Sequence, residues 1–380
     1  MISLRCKRCG APLPARSLSW RCDKCFGPLI AEGMPPLTRS AIDQHRRSLW
    51  RYQKSLVHTG PVAISLGEGW TPLVEGDWNG RRVLWKCEFA SISGSFKDRG
   101  VAVMINHLLS LGVNKFAEDS SGNAGAAVAT YAAAAQSRCR IYVPAHASSG
   151  KITQIEATGA ELIRIEGSRQ AVAEAAMADD SGYWYASHNW DPAFLDGIKT
   201  IGYEIWEQLG FNVPDAIIAP TGSGSNLLGC FNAFDDLRKS QEVERLPLLF
   251  GVQSENCAPL ARAFETGAPS FVKVETQPTI AEGIAVSHPV RSAELLDAVH
   301  QSGGGIFSVS EDQIAQAHDK MARRGLYVEP TTATAAALLD KLIDEAILKP
   351  GQRVVVILTG SGLKAGELIS QLRKNRQRTS

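Results

Sequence analysis

The sequence has no apolar run of membrane-spanning length and no excess of charge of one sign. A transmembrane helix needs roughly 20 consecutive apolar residues, and no such run occurs in the 380-residue chain. Lysines and arginines number 40 and acidic residues 39, which gives a formal net charge of +1. This balance offers no general attraction to nucleic acid. We expect neither a membrane nor a nucleic-acid partner, and a small-molecule ligand instead.

The N-terminal segment also lacks the apolar core of a secretory signal, because it reads MISLRCKRCG. We therefore expect a cytoplasmic protein, in which thiols stay reduced. Under that condition the eight cysteines are expected to be metal ligands or buried apolar residues rather than disulfides.

Four cysteines are spaced as C-x2-C-x12-C-x2-C within the first 25 residues, namely Cys6, Cys9, Cys22 and Cys25. Four thiolates suit a tetrahedral zinc ion and leave no open position for chemistry. We interpret the segment as a structural zinc ribbon, with a nucleic-acid or partner-binding ribbon as the alternative. Gly10 and Gly27 are expected to adopt the positive φ angles that turn backbone N–H groups toward the sulfurs. The other cysteines have no paired spacing and are predicted to be buried apolar residues: Cys87, Cys139, Cys230 and Cys257.

From about Val83 onward, short apolar runs alternate with segments of helical period. The runs ELIRIEG, DAIIAP, LPLLFGVQ and RVVVILT predict strands, and residues 101–112 and 124–136 predict helices. Residues 41–56 are predicted to form a polar helix. The alternation indicates an α/β fold with a parallel sheet.

Three loops rich in glycine and hydroxyl groups are predicted at strand-to-helix turns. In a parallel sheet such turns lie at the carboxyl ends of the strands, where ligands bind. Backbone N–H groups at a helix start attract anions, and glycine lets a phosphate or carboxylate approach closely. We expect these loops to form one ligand site, although each alone has the alternative of being only a tight turn. They span residues 120–125, 221–226 and 359–362.

The segment SGSFKDRG places Lys97 just ahead of a predicted helix, among small residues and opposite charges. A lysine amine forms a Schiff base with an aldehyde when neighbouring positive charge or partial burial lowers its pKa, because the neutral amine is then available. We expect Arg99 and the helix start to supply the positive field. The alternative is an ordinary surface lysine beside the N-cap residue Asp98.

The segments SGSFKDRG, SSGNAG, TGSGSN and TGSGLK resemble the cofactor loops of the fold-type-II pyridoxal-phosphate enzymes. This group includes tryptophan synthase β, cysteine synthase and the serine and threonine dehydratases. The phrase GEGWTPL from Gly67, the cysteine ribbon and SFKDRG resemble the threonine synthases most closely, and the similarity covers nearly the whole chain. Pyridoxal 5'-phosphate is the cofactor that the resemblance implies.

The resemblance also implies a tryptophan synthase β-like fold of two parallel-sheet, three-layer α/β domains with an N-terminal zinc ribbon. The implied ranges are a ribbon over residues 1–33, a larger cofactor-binding domain over 34–100 and 205–380, and a smaller substrate-closing domain over 101–204. A homodimer is expected from the family as well.

Each site residue takes its role from its position in these motifs. Lys97 would hold the cofactor and move the substrate α-proton, and Asn123 would hydrogen-bond the cofactor's ring hydroxyl. Thr359 would face the pyridine nitrogen, where a neutral hydroxyl makes the cofactor a mild electron sink suited to elimination and replacement. The substrate carboxylate would bind Ser121, Gly122, Asn123 and Ala124. The cofactor phosphate would lie against Gly222, Ser223, Gly224, Ser225 and Asn226.

One segment departs from the resemblance. Threonine synthases carry the pattern N-P-x-R-x-E-G-x-K-T, in which the arginine helps bind the phosphate of O-phosphohomoserine. Residues 191–200 read DPAFLDGIKT, so Phe194 stands where the arginine is expected. Ser361 stands in TGSGLK where a histidine is common.

Three hypotheses follow from the motifs and from this departure. The first is a pyridoxal-phosphate lyase of threonine-synthase type, which forms L-threonine and phosphate from O-phospho-L-homoserine. The second keeps the cofactor but performs β-elimination or β-replacement on a serine-like or threonine-like amino acid, because Phe194 would bind no phosphate. The third is a non-catalytic protein that binds a ligand or nucleic acid and uses the ribbon as its contact surface.

Overall fold

The computed structural model describes residues 2–14, 17–147 and 149–379. The chain divides into two compact units, which are described separately below. Unit 1 consists of Met1–Trp70 and Ser91–Thr200, and unit 2 of Thr71–Ala90 and Ile201–Ser380. No helix in the described part of the chain is both long enough and apolar enough to cross a membrane. The three domain ranges implied by the resemblance stay a prediction.

Unit 1 contains two sheets. The first is a small antiparallel sheet in the order β2-β1-β3, formed by β1 (Ser3–Cys6), β2 (Pro12–Pro14) and β3 (Leu29–Glu32). The second is fully parallel, in the order β8-β7-β6-β9. Its strands are β6 (Lys115–Glu118), β7 (Arg138–Pro144), β8 (Glu161–Ile165) and β9 (Trp184–Tyr185).

Unit 2 contains one six-stranded sheet in the order β12-β11-β10-β13-β5-β4. Every neighbouring pair is parallel except the β4–β5 hairpin at one edge. Its central strands are apolar and buried on both faces, as expected when helices cover a parallel sheet. The strands are β4 (Leu73–Trp78), β5 (Arg81–Lys86), β10 (Ala216–Pro220), β11 (Leu248–Ser254), β12 (Gly305–Val309) and β13 (Val354–Ile357).

The helices alternate with these strands. Unit 1 carries α1 (Lys97–Ser110), α2 (Asn123–Ala134), α3 (Ser149–Ala157) and α4 (Arg169–Met177). Helix α5 (Pro192–Gln208) begins in unit 1 and ends in unit 2. Unit 2 carries α6 (Ser225–Lys239), α7 (Pro259–Thr266), α8 (Ser292–Ser302), α9 (Glu311–Ala322), α10 (Pro330–Asp344) and α11 (Gly366–Thr379). Short 3-10 helices span Arg39–Ala41, Leu49–Ser55, Glu88–Ala90, Glu282–Ile284 and Gly362–Ala365.

The predicted α/β alternation is confirmed, and so are the four predicted strands, which correspond to β8, β10, β11 and β13. The helix predicted over the alanine-rich residues 124–136 is confirmed by α2, most of whose alanines are fully buried. Small side chains let this helix lie close to the sheet, since a Cβ on Gly125 would meet Ile141 of β7 at 3.2 Å.

The predicted polar helix over residues 41–56 is wrong. The segment forms 3-10 turns with an irregular stretch between them. Tertiary contacts override its helical pattern: the Leu49 N–H donates to the Glu68 carbonyl at 2.8 Å, and the Trp50 indole N–H donates to the Glu68 carboxylate. Trp50 is only 2% exposed, so the segment is part of the core of unit 1 rather than a solvated helix.

Candidate active site

Lys97 is the first residue of α1, and the loop before it is fixed by Asp98. The Asp98 carboxylate accepts a hydrogen bond from the Ser93 backbone N–H at 2.7 Å and a second from the Ser93 hydroxyl. Asp98 and Ser93 are both buried. These two hydrogen bonds tie the loop before Lys97 to the start of α1, as catalytic positioning requires.

The Lys97 amine is surrounded by apolar rings. Its Nζ atom lies 4.8 Å from the ring centroid of Phe96 and 5.2 Å from that of Phe194. Burial of the amine lowers the pKa of Lys97 to about 7; the Glu118 charge opposes this shift and Arg169 adds to it. Of the two expected causes, neighbouring positive charge and partial burial, burial is the dominant one. A large share of this amine is neutral near pH 7, which is the form that attacks an aldehyde.

Phe194 reaches this amine because residue 100 has no side chain. A Cβ on Gly100 would lie 2.5 Å from two ring carbons of Phe194. The Phe194 side chain is 1% exposed and also contacts the His188 ring, with centroids 6.0 Å apart in an edge-on arrangement. The resemblance led us to expect an arginine at position 194. The structure has a buried aromatic ring there, which forms an apolar wall beside Lys97.

The loop over residues 120–125 turns tightly between β6 and α2. A Cβ on Gly125 would lie 1.8 Å from the Ser120 carbonyl oxygen, so only glycine fits there. The Ser120 hydroxyl accepts a hydrogen bond from the Gly122 N–H at 3.2 Å. Helix α2 then begins at Asn123, and the N–H groups of its first turn are the kind that bind an anion.

Two acidic residues and a histidine next to this loop were not predicted from the sequence. Glu118 is the last residue of β6, and Asp119 follows it. One carboxylate oxygen of each acid and one ring nitrogen of His188 all lie within 4.8 Å of one another. All three residues are buried. The two acids could have been identified as candidate site residues from the motif EDSSGNAG, because they directly precede a predicted ligand loop at a strand end. His188 has no comparable signal in the sequence.

In unit 2, the loop over residues 221–226 joins β10 to α6. Gly224 caps α6 in the left-handed conformation, at φ +82°, and a Cβ there would lie 2.3 Å from Leu295. The buried Oδ1 atom of Asn226 has no hydrogen-bond partner within the described ranges. The loop therefore offers the N–H groups of a helix start, a glycine that no other residue could replace, and the Asn226 side chain. These features suit the binding of a phosphate.

Thr359 follows the neighbouring strand β13, which pairs in parallel with β10. The two loops of unit 2 therefore leave adjacent strands at the same edge of the sheet. The Thr359 hydroxyl is 2.8 Å from the Thr332 hydroxyl, and the Gly360 N–H donates to Thr332 at 3.0 Å. Thr332, in the first turn of α10, was missed at the sequence level because its segment carries no glycine loop of its own.

The four N-terminal cysteines come together as predicted. Their Sγ atoms all lie within 4.8 Å of one another, with Cys6 and Cys25 3.4 Å apart and Cys9 and Cys22 3.7 Å apart. Zinc–sulfur bonds of about 2.3 Å in a tetrahedron would give sulfur–sulfur distances of about 3.8 Å. This set of donors therefore fits one zinc ion.

The two glycines of the cysteine segment serve different purposes. Gly10 has φ +73°, as expected. The expectation is wrong for Gly27, which has no positive φ; the structure instead needs its lack of a side chain, since a Cβ would meet the sulfurs of Cys6 and Cys25 at 3.1 and 3.2 Å. The remaining four cysteines are buried, as predicted.

The chain matches the family model described as pyridoxal-phosphate dependent enzyme over residues 64–360. It is 34% identical to a threonine synthase of Methanosarcina acetivorans over 378 residues, which cover 96% of this chain and 92% of the relative. It is 33% identical to a threonine synthase of Methanocaldococcus jannaschii over 325 residues, 83% of this chain and 80% of the relative. Among solved structures, a fungal L-serine ammonia-lyase from Rhizomucor miehei aligns with a TM-score of 0.70 and 25% identity, covering 80% of this chain and 97% of that one.

The family match includes Lys97, the loops over residues 120–125 and 221–226, and the first two residues of the third loop, Thr359 and Gly360. Because the members of this family are described as enzymes, the match favours the two enzymatic hypotheses over the non-catalytic one. The chain belongs to the family of pyridoxal-phosphate dependent enzymes, as a relative of the threonine synthases.

Proposed function

We propose that this protein is a pyridoxal-phosphate lyase of threonine-synthase type, which converts O-phospho-L-homoserine and water into L-threonine and phosphate. The proposal rests mainly on the position and the pKa of the Lys97 amine. Lys97 is the first residue of a helix, and burial lowers the pKa of its amine to about 7. The family match and the two threonine synthase relatives support the same assignment.

Lys97 would hold the cofactor covalently and carry the proton that leaves the substrate α-carbon. The bound cofactor supplies a sink for the negative charge that develops at this carbon. A lysine with a pKa near neutrality both attacks an aldehyde and accepts a proton at neutral pH. The apolar rings of Phe96 and Phe194 would replace water on part of the amine's surface and thereby lower its pKa.

The loops would hold the charged groups of the cofactor and of the substrate. The side chain of Asn123 would also face the ring hydroxyl of the cofactor, and Thr359, oriented by Thr332, would face its pyridine nitrogen. Backbone donors at the start of α2 would bind the substrate carboxylate, from Ser121, Gly122, Asn123 and Ala124. Donors at the start of α6 would bind the cofactor phosphate, from Gly222, Ser223, Gly224, Ser225 and Asn226.

A structural zinc ion held by Cys6, Cys9, Cys22 and Cys25 belongs to the same proposal, supported by the sulfur distances given above. It would stabilise a segment whose own buried core is small. Trp20, between the two cysteine pairs, packs edge-on against Tyr185 and Trp190 at 5.0 and 5.6 Å. The ion would therefore also fix an aromatic contact with the larger sheet of unit 1. A homodimer, a cytoplasmic location and the three domain ranges remain predictions of the same account.

The direct test is turnover by the protein loaded with its cofactor. Incubation with O-phospho-L-homoserine is expected to release one phosphate for each L-threonine formed, measured by phosphate assay and amino-acid chromatography. Absence of both products from a fully loaded protein would contradict the proposed reaction.

A second function is favoured by the position of Phe194. The buried ring contacts the Lys97 amine and offers no hydrogen bond to a phosphate, whereas an arginine would offer two. This wall favours β-elimination or β-replacement on an amino acid with a small neutral side chain, such as serine or threonine. Release of 2-oxo acid and ammonia from L-serine or L-threonine, without phosphate release from O-phospho-L-homoserine, would establish this function in place of the first.

A further inference from the structure

A buried carboxyl–imidazole pair lies beside Lys97 and has no part in the roles proposed above. The Glu118 carboxyl is 2.7 Å from the Nδ1 atom of His188. Its second oxygen accepts a hydrogen bond from the His188 backbone N–H at 3.2 Å. Glu118 is 0% exposed and His188 is 8% exposed. These two contacts fix both the position and the ring orientation of His188.

The second ring nitrogen of His188, Nε2, is not part of the contact with Glu118. Nε2 makes no hydrogen bond with any residue in the described ranges. The ring packs edge-on against Phe194, the same side chain whose ring lies 5.2 Å from the Lys97 amine. His188 therefore has one ring nitrogen without a partner in the described ranges, and its ring packs on the same Phe194 side chain that lies beside the proposed cofactor lysine.

The surrounding charges keep the pair able to exchange a proton. Burial raises the pKa of Glu118 to about 8, while hydrogen bonds with the His188 backbone N–H and with Asp119 and the charges of Lys97 and Arg169 lower it. Burial and the Lys97 charge hold the pKa of His188 well below its ordinary value. Asp119 accepts a hydrogen bond from the Tyr185 hydroxyl at 2.9 Å. A neutral imidazole next to a carboxyl that titrates near neutrality is suited to passing on one proton.

We propose that His188, oriented by Glu118, is a second catalytic residue that moves a proton at the substrate's side-chain oxygen, while Lys97 serves the α-carbon. The proposal rests on the lyase function proposed above. When water adds to the C=C bond left in the substrate after phosphate loss, the new C–O bond forms as the π pair moves to the α-carbon, where Lys97 returns a proton. The water proton passes to Nε2, and the Nδ1 proton passes to the Glu118 carboxylate. When a hydroxyl leaves instead, Lys97 takes the α-proton and the freed pair forms the C=C bond while the C–O bond breaks. Nε2 then gives its proton to the leaving oxygen, and a protonated Glu118 returns one to Nδ1.

The test compares His188→Asn and Glu118→Gln with wild type and with His45→Asn, which alters an exposed histidine of unit 1. Glutamine keeps the shape of Glu118 but cannot take up the relayed proton. Both site variants are expected to retain the melting temperature, the visible absorbance of the bound cofactor and exchange of the substrate α-proton in D2O. Threonine formation from O-phospho-L-homoserine should fall roughly 10²-fold or more, and the carbon skeleton should instead leave as a 2-oxo acid and ammonia.

If the second function is the true one, the same variants should slow loss of the hydroxyl from L-serine or L-threonine to a similar extent, with α-proton exchange retained. A wild-type ratio of products and a wild-type rate in both variants would overturn the proposal for His188. Parallel loss of turnover and α-proton exchange would overturn it too, because the pair would then act only through the structure. A wild type that turns over none of these substrates would contradict the proposed function itself, which is a different outcome.

Discussion

The two compact units place different kinds of side chain at the ends of their parallel strands. In unit 1 the candidate site contains four ionisable residues, and burial shifts the pKa of each: Lys97, Glu118, Asp119 and His188. In unit 2 the loops after β10 and β13 carry neutral hydroxyls, an amide and glycines. Unit 1 therefore combines ionisable groups suited to proton transfer with a loop of hydroxyls, an amide and glycines over residues 120–125. The two loops of unit 2 carry neutral donors and acceptors, which suit holding a ligand by hydrogen bonds.

Burial explains this difference in physical terms. A buried ionisable group becomes reactive near neutral pH because the loss of water penalises its charged form. A hydroxyl or a backbone N–H stays neutral and keeps its hydrogen-bonding role at any pH in the physiological range. Substitutions of the ionisable residues of unit 1 should therefore change rates and pH dependence, and substitutions in the two loops of unit 2 should change mainly cofactor affinity.

The largest effect is expected for Lys97→Ala. Loss of the amine removes both the covalent attachment and the proton carrier, so turnover should fall by at least about 10³-fold. The visible absorbance of the lysine-bound cofactor should disappear. Lys54→Ala, which alters an exposed lysine of unit 1, is the matched control and should behave as wild type. Persistence of the absorbance in Lys97→Ala would contradict the assignment.

The pH dependence of cofactor capture should also be large. Below about 7 the Lys97 amine is an ammonium, and above that pH it is neutral. Capture of pyridoxal phosphate by the cofactor-free protein should therefore rise through pH 7 and then level off, followed by stopped-flow absorbance. Nα-acetyl-lysine, with an ordinary pKa of about 10.4, should keep rising well beyond pH 9. Equal profiles for the protein and for the free amine would show that burial does not act on Lys97.

Metal removal should destabilise unit 1 more than unit 2. Cys22→Ser is expected to lower the zinc content from one ion per chain to well below one, because three thiolates bind zinc more weakly than four. Hydrogen exchange should then increase around Trp20 and β9, where the ribbon packs. Cys87→Ser, in unit 2, should leave the zinc content unchanged. A wild-type protein that contains no zinc after metal-replete expression would remove this part of the account.

In unit 2, Gly224→Ala should weaken cofactor binding. The alanine would be strained at φ +82° and would clash with Leu295 at 2.3 Å. A cost of about 1.4 kcal/mol corresponds to a tenfold higher dissociation constant. Gly210→Ala is the matched control: this glycine also has a positive φ, at +66°, but its nearest neighbour lies 3.9 Å away. Equal cofactor affinity in the two variants would argue against the proposed phosphate loop.

The smallest effect is expected for Thr332→Val. The variant loses the hydroxyl that contacts Thr359, so cofactor affinity should fall by about fivefold, the equivalent of roughly 1 kcal/mol for one hydrogen bond. Thr334→Val, on the same helix, removes a hydrogen bond to the Thr331 carbonyl at 2.7 Å and serves as a control. A change in stability without a change in affinity would make Thr332 a purely structural residue.

The sequence was informative wherever a residue type had few alternatives. The paired cysteines, the alternation of strands and helices, and the glycine loops at strand ends could all be predicted, because spacing and backbone geometry are local properties. The approach of Phe194 to Lys97 could not be predicted, since Phe194 is far from it in the chain and reaches it only because residue 100 is a glycine.

The histidine–glutamate pair could not be predicted for the same reason. Glu118 and His188 are separated by 70 residues in the chain, and each alone is an ordinary polar residue. The error over residues 41–56 had a related origin, because long-range hydrogen bonds with Glu68 determined the local conformation. Information of this kind comes from tertiary packing, which periodicity does not encode.

The most direct test of the account is to identify the residue that binds the cofactor covalently. The loaded protein would be reduced with borohydride, digested and analysed by mass spectrometry, with unloaded protein treated in the same way. The account predicts a single phosphopyridoxyl adduct, located on Lys97. An adduct on another lysine, or adducts distributed over exposed lysines with none on Lys97, would contradict it.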